Sequence, residues 1–482
     1  MNEITKGKVL NAVLDSRLFR IVYLITLSLE MIAFCDKFAI ILRCGVLVWG
    51  AFILVFRFIV SKRAFKVKYK WLLWSFVAVQ VLTSVWNMSR DFLPNMVFAY
   101  HSMVCFFIFY GMSQEKSHEE IEKEMVFLFK YFIVFSTVTS FIGINVAVFT
   151  AQLQVGDYFL GILRNRLIGI HTNSNLLAFS NIVAIFSLDV IKDSHLRWKY
   201  NEKFFNRFWG ALCFGINFLS LFLSDSNASF LFIVAYFTVR IFYNNFMNYK
   251  EFKFSEFLRG NLLMLVFSTL MISGSFFLRD VSQDIIGIVI NDVHEIEEPV
   301  TDNVPLKAES ETETEMESET DSEPSYDSEE KITIGRENYD VSSGRITLFK
   351  QGLKLFRVNP IIGIGRGNLV RFGDKYLENG LIFSDLHNSY LTILVCNGIV
   401  GFLLFAAFLA LTAKDMCKYL FKFSCRRDSG IYSKLFAAIV AYCAYSVFEK
   451  AILSEITFMV VFFWLILGYA VSYMNNGLKE EL

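Results

Sequence analysis

Residues 387–413 read HNSYLTILVCNGIVGFLLFAAFLALTA, a stretch without a single Lys, Arg, Asp or Glu. An apolar run of this length spans the hydrocarbon core of a bilayer as an α-helix. Comparable runs recur along the 482-residue chain, which is 55% hydrophobic and has a mean hydropathy of +0.46. This composition excludes an ordinary soluble domain. The sequence therefore predicts an all-α polytopic integral membrane protein.

The apolar runs predict about twelve transmembrane helices. They lie near residues 19–35, 38–60, 70–87, 92–112, 124–148, 168–190, 208–223, 228–243, 260–278, 387–413, 434–449 and 452–473. The segments richest in Lys and Arg are the N-terminus and loops 61–70, 192–207 and 414–434, and this map puts all of them on one side. Because basic loops stay in the cytoplasm, we expect both termini to be cytoplasmic.

The map leaves one large extracytoplasmic loop, residues 279–386, between helices 1–9 (1–278) and helices 10–12 (387–482). Its segment 294–330 contains 15 acidic residues and one basic residue. Such a tract buries too little apolar surface to offset its ordering entropy, so we expect a disordered, solvated spacer. The alternative is a tail that binds cations or a partner.

The second part of the loop, residues 341–386, is the predicted functional part. Starting at Arg345, the sequence RITLFKQGLKLFRVNP places apolar side chains at helical spacing, with basic residues beside them. The apolar stripe consists of Ile346, Phe349, Leu353 and Phe356. This pattern predicts a short amphipathic helix at the outer membrane interface that ends before Pro360. The GIGRGN turn that follows lacks the βαβ context of a nucleotide-binding loop.

His387 is the first candidate for chemistry, because it lies where the loop meets the membrane. An imidazole there can act as a base near neutral pH. The alternative interpretation is an interfacial histidine that caps the following helix. Asp385 and Glu449 are the carboxylates that could orient the ring, although a simple ion pair between Glu449 and Lys450 is equally compatible with the sequence.

Outward-facing arginines form the second group of candidates, because outer loops are otherwise poor in basic residues. They are Arg164, Arg166, Arg345 and Arg366. Guanidinium groups bind phosphate oxygens bidentately, whereas the alternative is interfacial snorkelling. The chain has no DxD, P-loop or HExxH motif. The eight cysteines include no CxxC pair and mostly lie in apolar runs, so they predict neither a metal site nor a disulfide framework.

Three stretches of the chain resemble a known family. They read RLIGIHTNSNLLAF (166–179), SGRITLFKQGLKLFRVNPIIGIGRGN (343–368) and DLHNSYLTILVCNGIVGF (385–402). Together with the long loop before the third-last helix, they are similar to the O-antigen ligase and O-antigen and capsular polysaccharide polymerase superfamily. The resemblance implies glycan transfer from a polyprenyl-diphosphate carrier at the outer face of the bacterial cytoplasmic membrane, without a metal or other cofactor. The positions that match its functional histidine and arginines are His387, Arg345 and Arg166.

The resulting hypothesis is a polysaccharide polymerase, a glycosyltransferase of cell-envelope or capsule biogenesis. His387 would act as the base, while Arg345, Arg166, Arg366 and Arg164 would bind the diphosphate. The expected partners are undecaprenyl-diphosphate-linked oligosaccharide, membrane lipid, a flippase and chain-length regulators, and no nucleic acid. One alternative is a ligase that moves the finished glycan to another acceptor. Another is a lipid-linked oligosaccharide flippase or other transporter, although we find no internal repeat of the kind that transporters show.

Overall fold

The computed structural model describes residues 13–61, 66–87, 91–193, 207–248, 254–296, 345–422 and 429–479. Most of the predicted acidic spacer, from residue 297 onward, lies outside the described residues. The structure is 78% helical, which confirms the all-α class.

The helices are numbered here in chain order. They are α1 (Ser16–Leu29), α2 (Asp36–Val55), α3 (Lys70–Trp86), α4 (Phe92–Val104), α5 (His118–Thr150), α6 (Ser174–Ile191), α7 (Arg207–Leu223), α8 (Asn227–Asn248), α9 (Phe254–Ile296), α10 (Arg345–Phe356), α11 (Leu369–Tyr376), α12 (Ser389–Lys422), α13 (Ser429–Tyr445) and α14 (Phe458–Lys479). Short π-helical segments, Phe56–Ser61 and Cys105–Tyr110, continue α2 and α4. Helix α9 continues well past residue 278, so the first part of the predicted outer loop is helical.

Six helices in the described part of the chain are long and apolar enough to cross a membrane. They are Asp36–Val60, Phe92–Ser113, His118–Thr150, Ser174–Ile191, Ser389–Phe421 and Phe458–Gly477. Three shorter apolar helices are Lys70–Trp86, Arg207–Leu223 and Gly430–Tyr445. The chain is therefore a helical membrane protein, whereas the count of twelve spans and their orientation stay predictions.

The distribution of apolar side chains agrees with a bilayer as the solvent. On α2, Phe38, Ile41 and Phe52 are all more than 60% exposed. So many exposed large apolar side chains would make a soluble protein aggregate, but they are favourable against lipid. Helix α14 is the opposite case, because its residues from Val460 to Leu467 are at most 1% exposed. It forms the centre of the bundle.

A small antiparallel sheet follows α5, where the sequence pattern predicts only helices and loops. Its strands are β1 (Gln152–Val155), β2 (Tyr158–Leu163) and β3 (Arg166–Gly169), paired in the order β1-β2-β3. Arg164 and Asn165 both adopt positive φ, as the two central residues of a type I′ hairpin turn do. The sheet packs on the end of α5, where a Cβ atom at Gly143 would lie 2.8 Å from the Cα atom of Gly169. This close approach fixes the strand that begins at Arg166.

The predicted amphipathic helix forms as α10, but its buried face differs from the predicted stripe. Leu348 and Leu355 are fully buried, whereas Ile346 and Phe349 are 60% and 48% exposed. The helix has two apolar stripes, and Gly352 decides which one packs inward because it lets Leu391 of α12 approach closely. The other stripe is exposed on the surface of the protein, and its contact with the outer membrane interface stays a prediction.

The GIGRGN turn packs into a break in α12. Gly398 interrupts that helix with φ +63°, and the freed backbone groups pair with residues 360–365, which include the start of the turn. Ile399 N–H donates to the Pro360 carbonyl at 2.8 Å, and Gly365 N–H donates to the Cys396 carbonyl at 2.9 Å. A Cβ atom at Gly363 would lie 2.4 Å from the Cys396 backbone, so glycine is required there. The turn is therefore a packing element that fixes the position of Arg366.

Candidate active site

His387 is presented by a tight turn just before α12. Its φ of 44° is in the left-handed region, which is costly for a residue with a side chain. Its backbone N–H donates to Asp385 Oδ1 at 2.8 Å, and this bond holds the turn in place. Asn388 caps α12 instead, since its Oδ1 accepts from Leu391 N–H at 2.8 Å. The His387 ring is therefore not used for capping and is available for other contacts.

The His387 ring lies between two carboxylates. Its Nδ1 is 3.4 Å from Glu449 Oε2, and its Nε2 is 3.4 Å from Asp385 Oδ1. Glu449 is only 5% exposed and belongs to the loop between α13 and α14. Ser389 anchors this loop, because its hydroxyl donates to the Glu449 carbonyl at 2.9 Å and accepts from Ala451 N–H at 2.9 Å.

Glu449 joins the histidine to the arginines. Its Oε1 is 3.1 Å from a terminal nitrogen of Arg345 and accepts from Asn175 Nδ2 at 3.2 Å. The Oδ1 atom of Asn175 in turn accepts from Arg166 at 3.0 Å. Arg166 also donates to the Ser224 carbonyl at 2.9 Å. Residues from β3, α6, α10 and two loops therefore converge on one buried carboxylate.

A second branch of contacts runs from Asp385 to Arg366. Lys450 Nζ lies 2.6 Å from Asp385 Oδ2 and 3.1 Å from Glu455 Oε1. Arg366 Nε donates to the same Glu455 oxygen at 2.8 Å. Glu449 and Lys450 thus have separate partners in this structure, although the sequence had left open a mutual pair.

We call this group the outer ionic cluster, after the side of the membrane that the sequence predicts for it. It consists of Asp385, His387, Glu449, Glu455, Lys450, Asn175, Arg166, Arg345 and Arg366. It holds four permanent cations against three carboxylates, so it is net positive even when His387 is neutral. An excess of partly buried guanidinium groups attracts phosphate-bearing ligands.

The surroundings shift the pKa values of three cluster residues. Burial opposes protonation of His387, but the hydrogen bond with Glu449 and the charge of Asp385 outweigh it, so its pKa lies above the ordinary value. For Asp385, burial alone would raise the pKa, but Lys450 and His387 hold it below the usual range. Burial disfavours the charge of Arg366, but Glu455 more than compensates and the pKa is raised. The carboxylate of Asp385 is therefore ionised at neutral pH, and the His387 ring holds its proton more strongly than a free imidazole does.

The structure brings six of the seven predicted site residues into this cluster. Arg164 is the exception, because it is exposed at the turn between β2 and β3. In the described part of the chain no ion pair links it to the cluster. Arg164 lies in the two-residue turn that leads into β3, the strand that begins at Arg166.

The sequence does not single out Lys450 and Glu455 as site residues, and it marks Asn175 only as one of several intramembrane polar residues, for which structural hydrogen bonding is the default. Asn175 is a polar residue in an apolar run. Glu455 lies five positions after Lys450, in a stretch that matches no functional motif. A further buried pair lies beside the cluster: Arg279 is 3.0 Å from Asp225 Oδ1, one residue after the Ser224 carbonyl that Arg166 contacts. The sequence offered only the intramembrane position of Asp225 as a sign of this pair.

Residues 212–406 match the sequence model of the O-antigen ligase family. The predicted resemblance to the O-antigen ligase superfamily is confirmed. The O-antigen ligase match covers roughly two fifths of the chain and contains Arg345, Arg366, Asp385 and His387. Arg166 and Glu449 lie outside the matched segment and join the cluster only in three dimensions. No curated protein matches the chain.

Proposed function

We propose that the protein is a polysaccharide polymerase that joins polyprenyl-diphosphate-linked oligosaccharide repeat units at the outer face of the bacterial cytoplasmic membrane. The O-antigen ligase match supports a membrane enzyme of the ligase or polymerase type. The observation that carries the proposal further is the contact of one carboxylate, Glu449, with both His387 and Arg345. A proton acceptor and a phosphate-binding cation are thereby held side by side.

In the proposed reaction, Arg345 and Arg166 bind the diphosphate of the donor. The charge that develops on the departing polyprenyl diphosphate is stabilised by these guanidinium groups. Both arginines are tied to Glu449, directly or through Asn175, so they are oriented before the substrate arrives. Arg366 adds a further cation, held by Glu455 and placed over the Phe98 ring at 5.5 Å.

His387 accepts the proton of an acceptor hydroxyl while that oxygen attacks the anomeric carbon of the donor sugar. The new C–O bond forms as the bond from the anomeric carbon to the diphosphate oxygen breaks, and the bonding electrons leave with the polyprenyl diphosphate. A general base works best when its pKa is close to the working pH. The carboxylates of Glu449 and Asp385 raise the pKa of His387 above its ordinary value, which makes the neutral ring a stronger proton acceptor. Asp385 and Glu449 stabilise the imidazolium that results.

The decisive experiment is reconstitution of the purified protein in lipid vesicles with a lipid-linked oligosaccharide. We expect His387→Ala to abolish polymer formation at normal protein level. His118→Ala is the matched control, because His118 begins α5 at the end far from the sheet and the cluster. Normal polymer from the His387 variant would refute the proposed role of this residue.

A ligase is the second candidate function, and the name of the matched family favours it. The two differ in the acceptor: a polymerase lengthens the glycan when given lipid-linked repeat units alone, whereas a ligase needs a different acceptor. A product ladder from a single lipid-linked substrate therefore supports the polymerase. A flippase, the alternative from another class, would instead leave unpolymerised units on the inner leaflet when it is inactivated.

A further inference from the structure

A cleft of about 310 Å³ lies beside the outer ionic cluster, on the side of α1 and α2. Its polar lining consists of Glu30, Asp36, Thr172 and Thr457, and Leu176 and Ile456 contribute to its apolar walls. Two of these residues directly follow members of the cluster, since Leu176 follows Asn175 and Ile456 follows Glu455. The cleft therefore lies next to the candidate active site along α6 and along the loop before α14.

The cleft wall holds polar atoms that have no partner in the described part of the chain. Glu30 pairs with Arg43 through Oε1, but its Oε2 atom is buried and makes no hydrogen bond. The hydroxyl of Thr457 is likewise buried and unpaired. Buried polar atoms nearly always have a partner, because leaving them unpaired is costly. Their position on the wall of a cleft indicates that a ligand supplies the missing partners.

The backbone around the cleft is firmly held, as expected for a preformed site. Thr172 N–H donates to the Met31 carbonyl at 3.0 Å, and Ala33 N–H donates to the Ile170 carbonyl at 3.0 Å. The Tyr158 hydroxyl of β2 donates to the Asp36 carboxylate. Arg43 connects Glu30 with the Ile456 carbonyl at 3.4 Å. The sheet therefore helps to shape the cleft, because Tyr158 of β2 holds the carboxylate of Asp36 in place.

The chemistry of the lining selects among ligands. Asp36 has no ion pair among the described residues and repels a diphosphate, whereas the charge of Glu30 is balanced by Arg43. Both carboxylates disfavour a purely apolar polyprenyl tail. Carboxylate oxygens and a threonine hydroxyl are, however, good partners for the hydroxyl groups of a neutral sugar. Leucine and isoleucine side chains match the C–H surface of a sugar ring. The volume is at the lower end of the range for small-molecule sites, so a short stretch of glycan fits better than a large ligand.

We propose that this cleft is the acceptor subsite, which binds neutral sugar residues of the glycan whose hydroxyl attacks the donor. The inference rests on the proposed glycan transfer, and it separates the two substrates in space. The donor diphosphate meets the cationic cluster, and the acceptor sugar lies in the acidic cleft next to it. The segment Glu455–Thr457 joins the two, because Glu455 binds Arg366 while Thr457 faces the cleft.

The test uses Thr457→Val and Asp36→Asn in the full-length protein, with Asp157→Asn as the matched control. Asp157 is a carboxylate in the turn between β1 and β2, next to Tyr158. Its side chain is 83% exposed, and among the described ion pairs it pairs only with the exposed Lys37. Thr457→Val has nearly the same shape and removes an unpaired hydroxyl, so we expect its thermal stability to be equal or higher. The probe is the oligosaccharide released by mild acid from the lipid-linked donor.

Two measurements are made with this probe. Saturation-transfer NMR on His387→Ala protein reports binding without turnover. Kinetics on active protein, with the probe as soluble acceptor, reports KM for acceptor and donor separately. We expect both cleft variants to weaken probe binding and raise the acceptor KM on the order of tenfold, as loss of a hydrogen bond to a charged or buried group does. The donor KM and the Asp157→Asn variant should be unchanged.

Unchanged probe binding in both cleft variants would overturn the acceptor subsite, and so would an equal rise in donor KM. The proposed function fails in a different way, through retained transfer by His387→Ala. In that case the binding measurement still reports on the cleft. A lower thermal stability of Thr457→Val would show that its hydroxyl has a structural partner, and would also count against the subsite.

Discussion

Glu449→Gln is the most informative single change, because this carboxylate holds both the candidate base and a candidate phosphate ligand. Glutamine keeps the size and can still accept from Asn175, but it removes the negative charge. Two charge-assisted contacts are lost, to Arg345 at 3.1 Å and to His387 at 3.4 Å. The change therefore tests the central feature of the site with little change in packing.

The expected magnitude follows from the burial of the partners. Contacts between charged groups contribute about 1.5–3 kcal/mol each. The Arg345 and His387 side chains are 21% and 27% exposed, so the low end of that range applies. Two contacts then amount to about 3 kcal/mol, which corresponds to a fall in kcat/KM of roughly 10²-fold.

The pH profile gives the prediction a second, independent readout. A base acts in its neutral form, so activity rises as the pH passes the pKa of His387. Glu449 helps to raise that pKa above its ordinary value. Its replacement by glutamine removes this contribution, and we expect the acidic limb of the profile to move to lower pH. The assay is polymer formation from a lipid-linked oligosaccharide in vesicles between pH 5 and pH 9, a range of roughly two units either side of neutrality.

Glu124→Gln is the matched control, because Glu124 is also a buried carboxylate in an ion pair. It lies 2.6 Å from Arg20, and both side chains are fully buried. Removing one partner of such a pair costs up to about 3–5 kcal/mol of stability, so this variant controls for general destabilisation. Its pH profile should keep the wild-type shape. If Glu449→Gln retains full activity with an unshifted profile, the assignment of Glu449 as the organiser of the site is wrong.

The remaining predictions concern the phosphate ligands, the metal requirement and the packing of the outer loop. Arg345→Ala should raise the donor KM, and Arg345→Lys should restore only part of the affinity, because lysine cannot bind phosphate oxygens bidentately; a donor titration in vesicles measures both. Arg164→Ala should leave the donor KM near the wild-type value, since Arg164 is exposed at the hairpin turn away from the cluster; a rise equal to that of Arg345→Ala would contradict the geometry. Transfer should survive EDTA, because the cluster carries four cations against three carboxylates and so has a net positive charge that favours the diphosphate; loss of activity that is restored by a divalent ion would refute this. Gly363→Ala should lower the melting temperature and the activity together, because its Cβ atom would lie 2.4 Å from the Cys396 backbone; a circular dichroism melt in detergent is the check.

Several features of the fold and site were predictable from the sequence because they depend on neighbouring residues. The amphipathic helix from Arg345 begins and ends close to the predicted positions, because apolar spacing and the Asn359-Pro360 pair act locally. His387 stood out because it lies where an apolar run begins. The face that α10 buries was not predictable, because the sequence offers two apolar stripes and the choice depends on Leu391 of α12.

The sheet was missed for a similar reason. Its strands are at most six residues long, and β1 is exposed along its whole length, so no alternating pattern of burial identifies it. The strands are held by pairing with each other and by contact with Gly143 of α5. Single-sequence patterns carry little information about such pairing.

The sequence by itself determined that this chain is a helical membrane protein, because a run of apolar residues must match the thickness of a bilayer and this match is a property of one segment at a time. It also indicated a histidine and arginines at the outer face. Only the tertiary structure decided that Glu449 connects His387, 62 positions away, with Arg345, 104 positions away. The tertiary structure likewise decided that Lys450 forms its ion pair with Asp385 and not with Glu449. Such pairings arise because a buried charge must find its counter-charge wherever packing brings one near, and that distance cannot be read along the chain.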